Sequence, residues 1–230
     1  MNAAVQRQEL KRETFTTSRL MDFFSIKELT AQVGHSERDW PLVAVKELVD
    51  NALDACEDHH IPPVIQIVVG EEGIAVTDNG PGIAASTIDS ILDFTLRVSS
   101  REAYVSPTRG AQGNALKTLL AMPFVLDGDT GTIQIEARGV KHTITCRVDR
   151  IQQKPVISHD YEASFVKNGT FVTVPWPDSS SSILQEARSR ILQMAISFAT
   201  LNPHLDLSLE LFSETSHWGG TQSALGEMEG

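Results

Sequence analysis

The chain has 230 residues, 41% hydrophobic and 21% charged, a composition that suits one domain with one core and lies far from that of a disordered chain. Thirty acidic residues against nineteen basic ones give a net charge of −11, a field that repels nucleic-acid phosphates and anionic membrane surfaces, so direct nucleic-acid binding by this chain is not expected. Only two cysteines, Cys56 and Cys146, stand far apart, which excludes a disulfide framework, and there is neither a basic-then-apolar leader nor an apolar run of about 18 residues. The expected setting is the cytoplasm, with no membrane.

Residues 1–20 lack apolar periodicity and read as a mobile N-terminal arm. Ser25 and Glu28 have capping-box spacing for a short helix over 26–33 that Gly34 ends. A longer helix follows, with Asp39 as its cap, Pro41 in its first turn and apolar positions at Val45, Leu48, Val49, Ala52, Leu53 and Cys56; Pro62 and Pro63 end it. Two β-branched runs, 64–69 and 74–77, flank Gly70-Glu71-Glu72-Gly73 and predict a strand pair, broken off by Asp78-Asn79-Gly80-Pro81-Gly82.

Ser86 and Asp89 suggest a cap for a short helix to about Phe94, residues 95–109 read as a loop, and 110–113 opens another helix to about Met122. Strands are expected over 132–137, 142–148, 155–158 and 165–174, then a helix over 182–201 and a last strand over 205–212. The remainder, 213–230, is rich in Gly, Ser, Thr and Glu and reads as a disordered tail. Strict βαβ alternation fails, so the expected fold is an α+β two-layer sandwich over residues 21–212 rather than a doubly wound parallel sheet.

Three features carry chemistry. On the long helix, Glu47, Asn51, Asp54 and Asp58 recur at spacings that align them in one stripe, either a solvated face or the wall of a cleft. Because the rest of the helix is rich in Leu, Val and Ala, a cleft wall is favoured, and carboxylates there need a metal, a cation or water as partner. Asp78-Asn79-Gly80-Pro81-Gly82 alone fits a plain turn. Gly110-Ala111-Gln112-Gly113 fits either a turn or a helix start whose N–H groups favour a phosphate, and it is not followed by the Lys-Ser/Thr of a Walker loop.

In this order and spacing, the stretch from Glu47 to Ala55, the box from Asp78 to Gly82 and the stretch from Arg109 to Lys117 resemble the three nucleotide-binding boxes of the gyrase, chaperone, histidine-kinase and MutL (GHKL) ATPase superfamily. Gly169-Thr170 matches its late Gly-Thr. The resemblance extends over about residues 20–212 and, within the superfamily, points to the ATPase domain of the topoisomerase VI B subunit. Lys46-Glu47, Ala55-Cys56-Glu57, Ser99-Ser100-Arg101 and the arginine before the glycine box carry that finer likeness.

The resemblance implies the Bergerat ATP-binding fold, with a mixed, mostly antiparallel sheet and helices on one face, and it implies ATP and Mg²⁺ as cofactors. Glu47 is implied as the residue that polarises the attacking water, and Asn51 as the magnesium ligand through its amide oxygen. Asp78 is implied to accept the adenine amine, and Gly80 and Gly82 to let the chain pass the base. Arg109, Gly110, Ala111, Gln112, Gly113, Asn114, Ala115, Leu116 and Lys117 are implied as lid and phosphate cradle. Asp54, Ser100, Arg101 and Thr170 complete the implied nucleotide contacts.

Two departures stand out: Ala115 replaces the third glycine of the phosphate box, and the chain ends near where the relatives' transducer domain, source of a γ-phosphate lysine, would begin. Nucleotide-driven lid closure, homodimerisation through the N-terminal arm and a DNA-cleaving or other effector subunit are the implied assembly. Two alternatives stay open, a non-hydrolysing ATP-gated interaction module and a histidine-kinase-like phosphotransferase. His59 and His60 are expected to serve the helix end rather than a metal, Trp40, Trp176 and Trp218 to pack, and Cys56 and Cys146 to fill core positions.

Overall fold

A computed structural model describes residues 17–18, 23–92, 95–96, 115–149, 151 and 154–220. The helices are α1 (Ile26–Val33), α2 (Trp40–Asp58), α3 (Ala85–Ile91), α4 (Ala115–Asp127) and α5 (Ser181–Leu201). The strands are β1 (Thr17–Ser18), β2 (Val64–Gly70), β3 (Gly73–Asp78), β4 (Thr95–Leu96), β5 (Thr130–Ala137), β6 (Val140–Asp149), β7 (Lys154–Ala163), β8 (Thr170–Pro175), β9 (Asp206–Leu211) and β10 (Glu214–Trp218).

Eight strands form one mixed sheet in the order β10-β9-β2-β3-β8-β5-β6-β7, and β1 pairs with β4 in a separate two-stranded ribbon. Every neighbour in the large sheet is antiparallel except β2 and β9, where Val64 lies opposite Asp206 and Val69 opposite Leu211. Alternation along the strands sends Ile65, Ile67 and Val69, Ile74 and Val76, Ile133 and Ile135, and Leu207, Leu209 and Leu211 into one buried layer. Helices α2, α4 and α5 supply the other half of that core, through Val45, Leu48, Val49, Leu53, Leu119, Leu120, Leu184 and Ile191. The expected α+β two-layer sandwich is thus the observed one.

Local signals explain most boundaries. Glu28 N–H donates to Ser25 Oγ at 3.2 Å to cap α1, and Gly34, at φ +74°, ends it. His59 Nδ1 lies 3.0 Å from the carbonyl oxygen of Ala55 at the end of α2, the expected service to a helix terminus.

Several expectations are corrected. Asp39 makes no capping bond to α2; a short 3-10 turn, Glu37–Asp39, leads into that helix, and the Asp39 carboxylate accepts from Ser36 and pairs with Arg190 of α5. No side-chain cap starts α3, which begins at Ala85 rather than after Ser86. Helix α4 continues through Pro123 to Asp127, because Leu119, Leu120, Ala121, Met122 and Phe124 are all buried and that packing outweighs one missing N–H. Strand β7 runs on to Ala163, in register with β6 throughout, so the expected strand from 165 starts at Thr170 instead.

The domain also does not stop at 212, and 213–230 is not all tail. Residues 214–218 form β10, whose Trp218 packs on the core; the run Glu214-Thr215-Ser216-His217 before it is polar, as an edge strand with one neighbour tolerates. Of the arm, residues 17–18 pair with β4 of the same chain, so structure starts before Ser25. The rest of the arm, the loop of 97–109 and the tail from 221 lie outside the described residues.

Candidate nucleotide-binding cleft

Helix α2 lies against β3 with its apolar face buried, leaving the stripe of Glu47, Asn51, Asp54 and Asp58 to form one wall of an open cleft. Asp50 stands on the same wall. Opposite are Asp78 at the end of β3, Gly82 and Ile83 after it, Thr87 of α3, Ala115 and Leu116 at the start of α4, and Thr170 of β8. The floor is apolar, made by Val76, Ile135 and Val172. An apolar slot closed by a few convergent polar groups is the usual form of a small-molecule site.

Asp78 is fixed by backbone donors. Its Oδ1 accepts the N–H of Gly80 at 2.8 Å and that of Thr170 at 3.2 Å. Burial pushes its carboxyl above the usual carboxylate range, while the bonds from Gly80 and Thr170, including one from the Thr170 hydroxyl, pull it back. Asn79 points the other way and clasps the loop after α2: its Oδ1 accepts the N–H of Val64 at 2.9 Å and the thiol of Cys56 at 3.4 Å, and its Nδ2 donates to the carbonyl of Pro62 at 3.0 Å. The helix carrying the stripe and the turn carrying Asp78 are therefore tied together by one side chain.

The glycines there answer to the protein itself. Gly169, at φ +74°, donates its N–H to the Gly80 carbonyl at 2.8 Å, and a Cβ on it would overlap the Asp78 backbone. Gly82, at φ +75°, would bring a Cβ to 2.9 Å from the Gly169 carbonyl oxygen.

On α2, Lys46 Nζ pairs with Asp50 Oδ2 at 2.7 Å and lies 3.6 Å from Glu47 Oε1; the bond to Asp50 pushes the lysine upward from its usual value. Glu47, Asp50, Asp54, Asp58 and Asp78 still make the cleft strongly acidic, so any anionic ligand there must come with a cation. Among the described residues, no group of three or more His, Cys, Asp or Glu side chains is placed to hold a metal by itself. Cys56 and Cys146 are buried, and burial pushes their thiols up to about 11 and about 12.

Glu47, Asn51, Asp54, Asp78, Gly82, Ala115, Leu116 and Thr170 thus meet in one cleft, with Gly80 packed behind it near Cys56 and Ala55. Lys117 is not among the residues that line it; it borders a small apolar cavity under α3, with Ile88 and Ile144. Ser100, Arg101, Arg109, Gly110, Ala111, Gln112, Gly113 and Asn114 lie outside the described residues. Sequence reasoning missed Asp50, which its place three residues after Glu47 would have revealed, and Ile83 and Thr87, which no spacing signals.

No family model matches the chain. It is 28% identical over 170 residues to the B subunit of the type 2 DNA topoisomerase 6 of Natronomonas pharaonis, covering 71% of this chain and 21% of that protein. Its counterpart in Halobacterium salinarum is 29% identical over 180 residues, 74% of this chain and 22% of the other. That of Archaeoglobus fulgidus is 25% identical over 175 residues, 73% and 28% respectively. The chain therefore spans less than a third of the length of these curated relatives. Among solved structures, the ATP-binding domain of topoisomerase IV of Francisella tularensis, in complex with a small-molecule inhibitor, superposes with a TM-score of 0.52 at 16% identity, covering 89% of this chain and 96% of that one. That likeness shows the fold. The resemblance to the GHKL ATPases, and to the topoisomerase VI B subunit, stands on comparison over most of the chain as well as on the boxes.

Proposed function

We propose that this chain is an ATP-binding and slowly ATP-hydrolysing module of the topoisomerase VI B type, working in the cytoplasm within a DNA-topology or related DNA-processing machine. The observation that carries the proposal is the convergence of the α2 stripe, the Asp78 turn and Gly169-Thr170 on one cleft. In this reading the apolar floor takes the adenine ring, and Asp78, already oriented by two backbone N–H groups, accepts the exocyclic amine and rejects the carbonyl of guanine. Glu47, half-buried on the α2 wall, orients and deprotonates the water that attacks the γ-phosphate.

Asn51 fits a magnesium site, because a neutral amide oxygen on an acidic wall suits a cation that keeps its remaining positions for phosphate and water. That cation, when bound, neutralises charge between the triphosphate and the carboxylates of α2. Asp54 and Thr170 complete the nucleotide contacts. The same proposal includes lid closure by the segment before α4, ATP-dependent homodimerisation aided by the N-terminal arm, and coupling to an effector partner, DNA-cleaving or other.

One observation favours a second reading. Lys117, implied as a phosphate contact, borders a separate small apolar cavity and is not among the residues that line the cleft, which suits an ATP-gated interaction module with negligible turnover. Both readings are tested by measuring binding and hydrolysis of Mg·ATP by the full chain and by Glu47→Ala, alone and with candidate partners. Retained binding with turnover lost in the variant supports the ATPase. Binding without turnover in either protein supports the gated module, and no binding at all overturns both.

A further inference from the structure

One polar cluster lies outside the machinery above. On the core-facing side of β6 and β7, His142 is 4% exposed, and its Nδ1 lies 2.9 Å from Nε2 of His159, the rings being 5.1 Å apart and tilted by 32°. The other nitrogen of His159, Nδ1, lies 3.3 Å from Asp89 Oδ1 on α3. Tyr161, opposite His142 in the β6–β7 register, meets the His159 ring edge-on at 6.1 Å. The chain His142–His159–Asp89 thus runs from the buried sheet to the outer face of a seven-residue helix.

Helix α3 has few other anchors. No side chain caps its N-terminus; among its described side chains Ile88 is the one fully buried, entering the core, and Thr87 lines the nucleotide cleft. Where α3 sits determines where that wall of the cleft stands.

We propose that His159 is a positioning residue that ties α3, and with it the Thr87 wall of the cleft, to the sheet through a bridge that strengthens when it gains one proton. Between two facing imidazole nitrogens there is room for one hydrogen. With both rings neutral, His142 Nδ1–H donates to His159 Nε2, and His159 Nδ1–H donates to Asp89. One added proton enters at His142 Nε2 as the bridging hydrogen passes from His142 Nδ1 to His159 Nε2; His142 stays neutral, and His159 becomes an imidazolium that donates on both sides, to the Asp89 carboxylate and to His142 Nδ1, converting the link to α3 into a charge-assisted bond. A second proton would set two N–H groups against each other and open the contact. Burial, and then the charge of His159, lower the His142 imidazole from its ordinary value, with Asp89 opposing them, and the facing nitrogens disfavour a second proton.

The other ionisable groups nearby do not substitute for this bridge. Tyr161 meets His159 through its ring. Lys117, on α4, borders the cavity that Ile88 and Ile144 share, and Lys141 pairs at 3.7 Å with Glu162, its register partner on β7. Asp89 is the carboxylate in contact with His159.

The link to the cleft rests on the proposed nucleotide site, whereas the tether itself does not, and the test separates them. Amide hydrogen exchange of residues 85–92 is measured in the full chain between pH 6 and 8, corrected for intrinsic rates, beside His159→Gln and Asp89→Asn, with dissociation constants for a Mg·ATP analogue over the same range. Asp89 is largely exposed, so its variant keeps the fold even if the histidine variant does not. The tether predicts that α3 protection drops at least threefold from pH 6 to 8 in the parent chain, with no such drop in Asp89→Asn. It also predicts that the ratio of parent to Asp89→Asn nucleotide affinity is greatest at pH 6. Equal α3 protection profiles in parent and variant overturn the tether. A tether without any change in that ratio overturns its role at the cleft. Absence of nucleotide binding at every pH counts against the proposed function, and the exchange profiles still decide the tether.

Discussion

Gly169 and Asp78 fit together without room for a methyl group: the glycine, at φ +74°, packs against the Asp78 carbonyl while its neighbour Thr170 donates to the Asp78 side chain at 3.2 Å. Two turns far apart in sequence are thereby locked at the point where the cleft is most polar. Gly169→Ala should therefore cost several kcal/mol, since it combines a left-handed backbone with a steric overlap. Urea unfolding would check this, and a loss below about 1 kcal/mol would show that the two turns can separate freely.

Asp78→Asn should act in opposite directions on the empty fold and on binding. Burial raises the Asp78 carboxyl above its unfolded value, so the ionised group weighs on stability, and that cost appears as pH rises through the raised value. The asparagine keeps an oxygen for the Gly80 and Thr170 N–H groups without the charge. Its melting temperature should equal or exceed the parent's at pH 7, with the advantage fading under acid. For ATP, an amide nitrogen would face the adenine amine, and affinity should fall by roughly 10-fold or more, a charge-assisted bond being worth about 1.5–3 kcal/mol. Calorimetry showing an unchanged dissociation constant would remove Asp78 from base recognition.

Arg190→Met tests the tether between α5 and the turn before α2. Arg190 pairs with Asp39 and donates to the Arg38 carbonyl at 3.1 Å, and its guanidinium is the main cause holding the Asp39 carboxyl below its usual range. A depressed carboxylate stabilises the fold above its unfolded value and loses that contribution as pH falls through the lower, folded one. Because the pair is a third or more exposed, 46% for Arg190 and 33% for Asp39, the loss should stay within about 1 kcal/mol at pH 7. It should shrink in acid; a larger deficit at pH 3 than at pH 7 would contradict the assignment.

Neither cysteine should react while the chain is folded. With the thiols buried and raised to about 11 and about 12, the thiolate fraction at pH 8 is small and access is closed. A thiol-specific chromogenic reagent should label both only at the rate of unfolding, and rapid labelling of Cys56 in the native chain would mean that the clasp with Asn79 opens.

The stripe on α2 and the turn after β3 were legible because a helical period and a run of turn formers are local signals. The weight of Gly169-Thr170 lies in its approach to Asp78, which no local pattern encodes. Strand β10 was hidden by its composition: Glu214, Thr215, Ser216 and His217 resemble a solvated tail until β9 supplies a partner, Glu214 pairing with Leu211. Helix α4 runs past Pro123 because burial of the surrounding residues outweighs a local rule. The strand order was likewise beyond sequence reasoning, since the parallel pairing of β2 with β9 joins segments separated by most of the chain.

That pairing also bears on how the molecule is made. During synthesis β2 emerges early and β3 folds back on it at once, but the partner on its other edge, β9, arrives only after α5. Until then β2 presents an open, β-branched edge, and the apolar face of α5 that covers β9 is missing too. A ribosome-bound chain arrested before residue 206 would thus offer this edge to a chaperone, and emergence of β9 is the event that covers it.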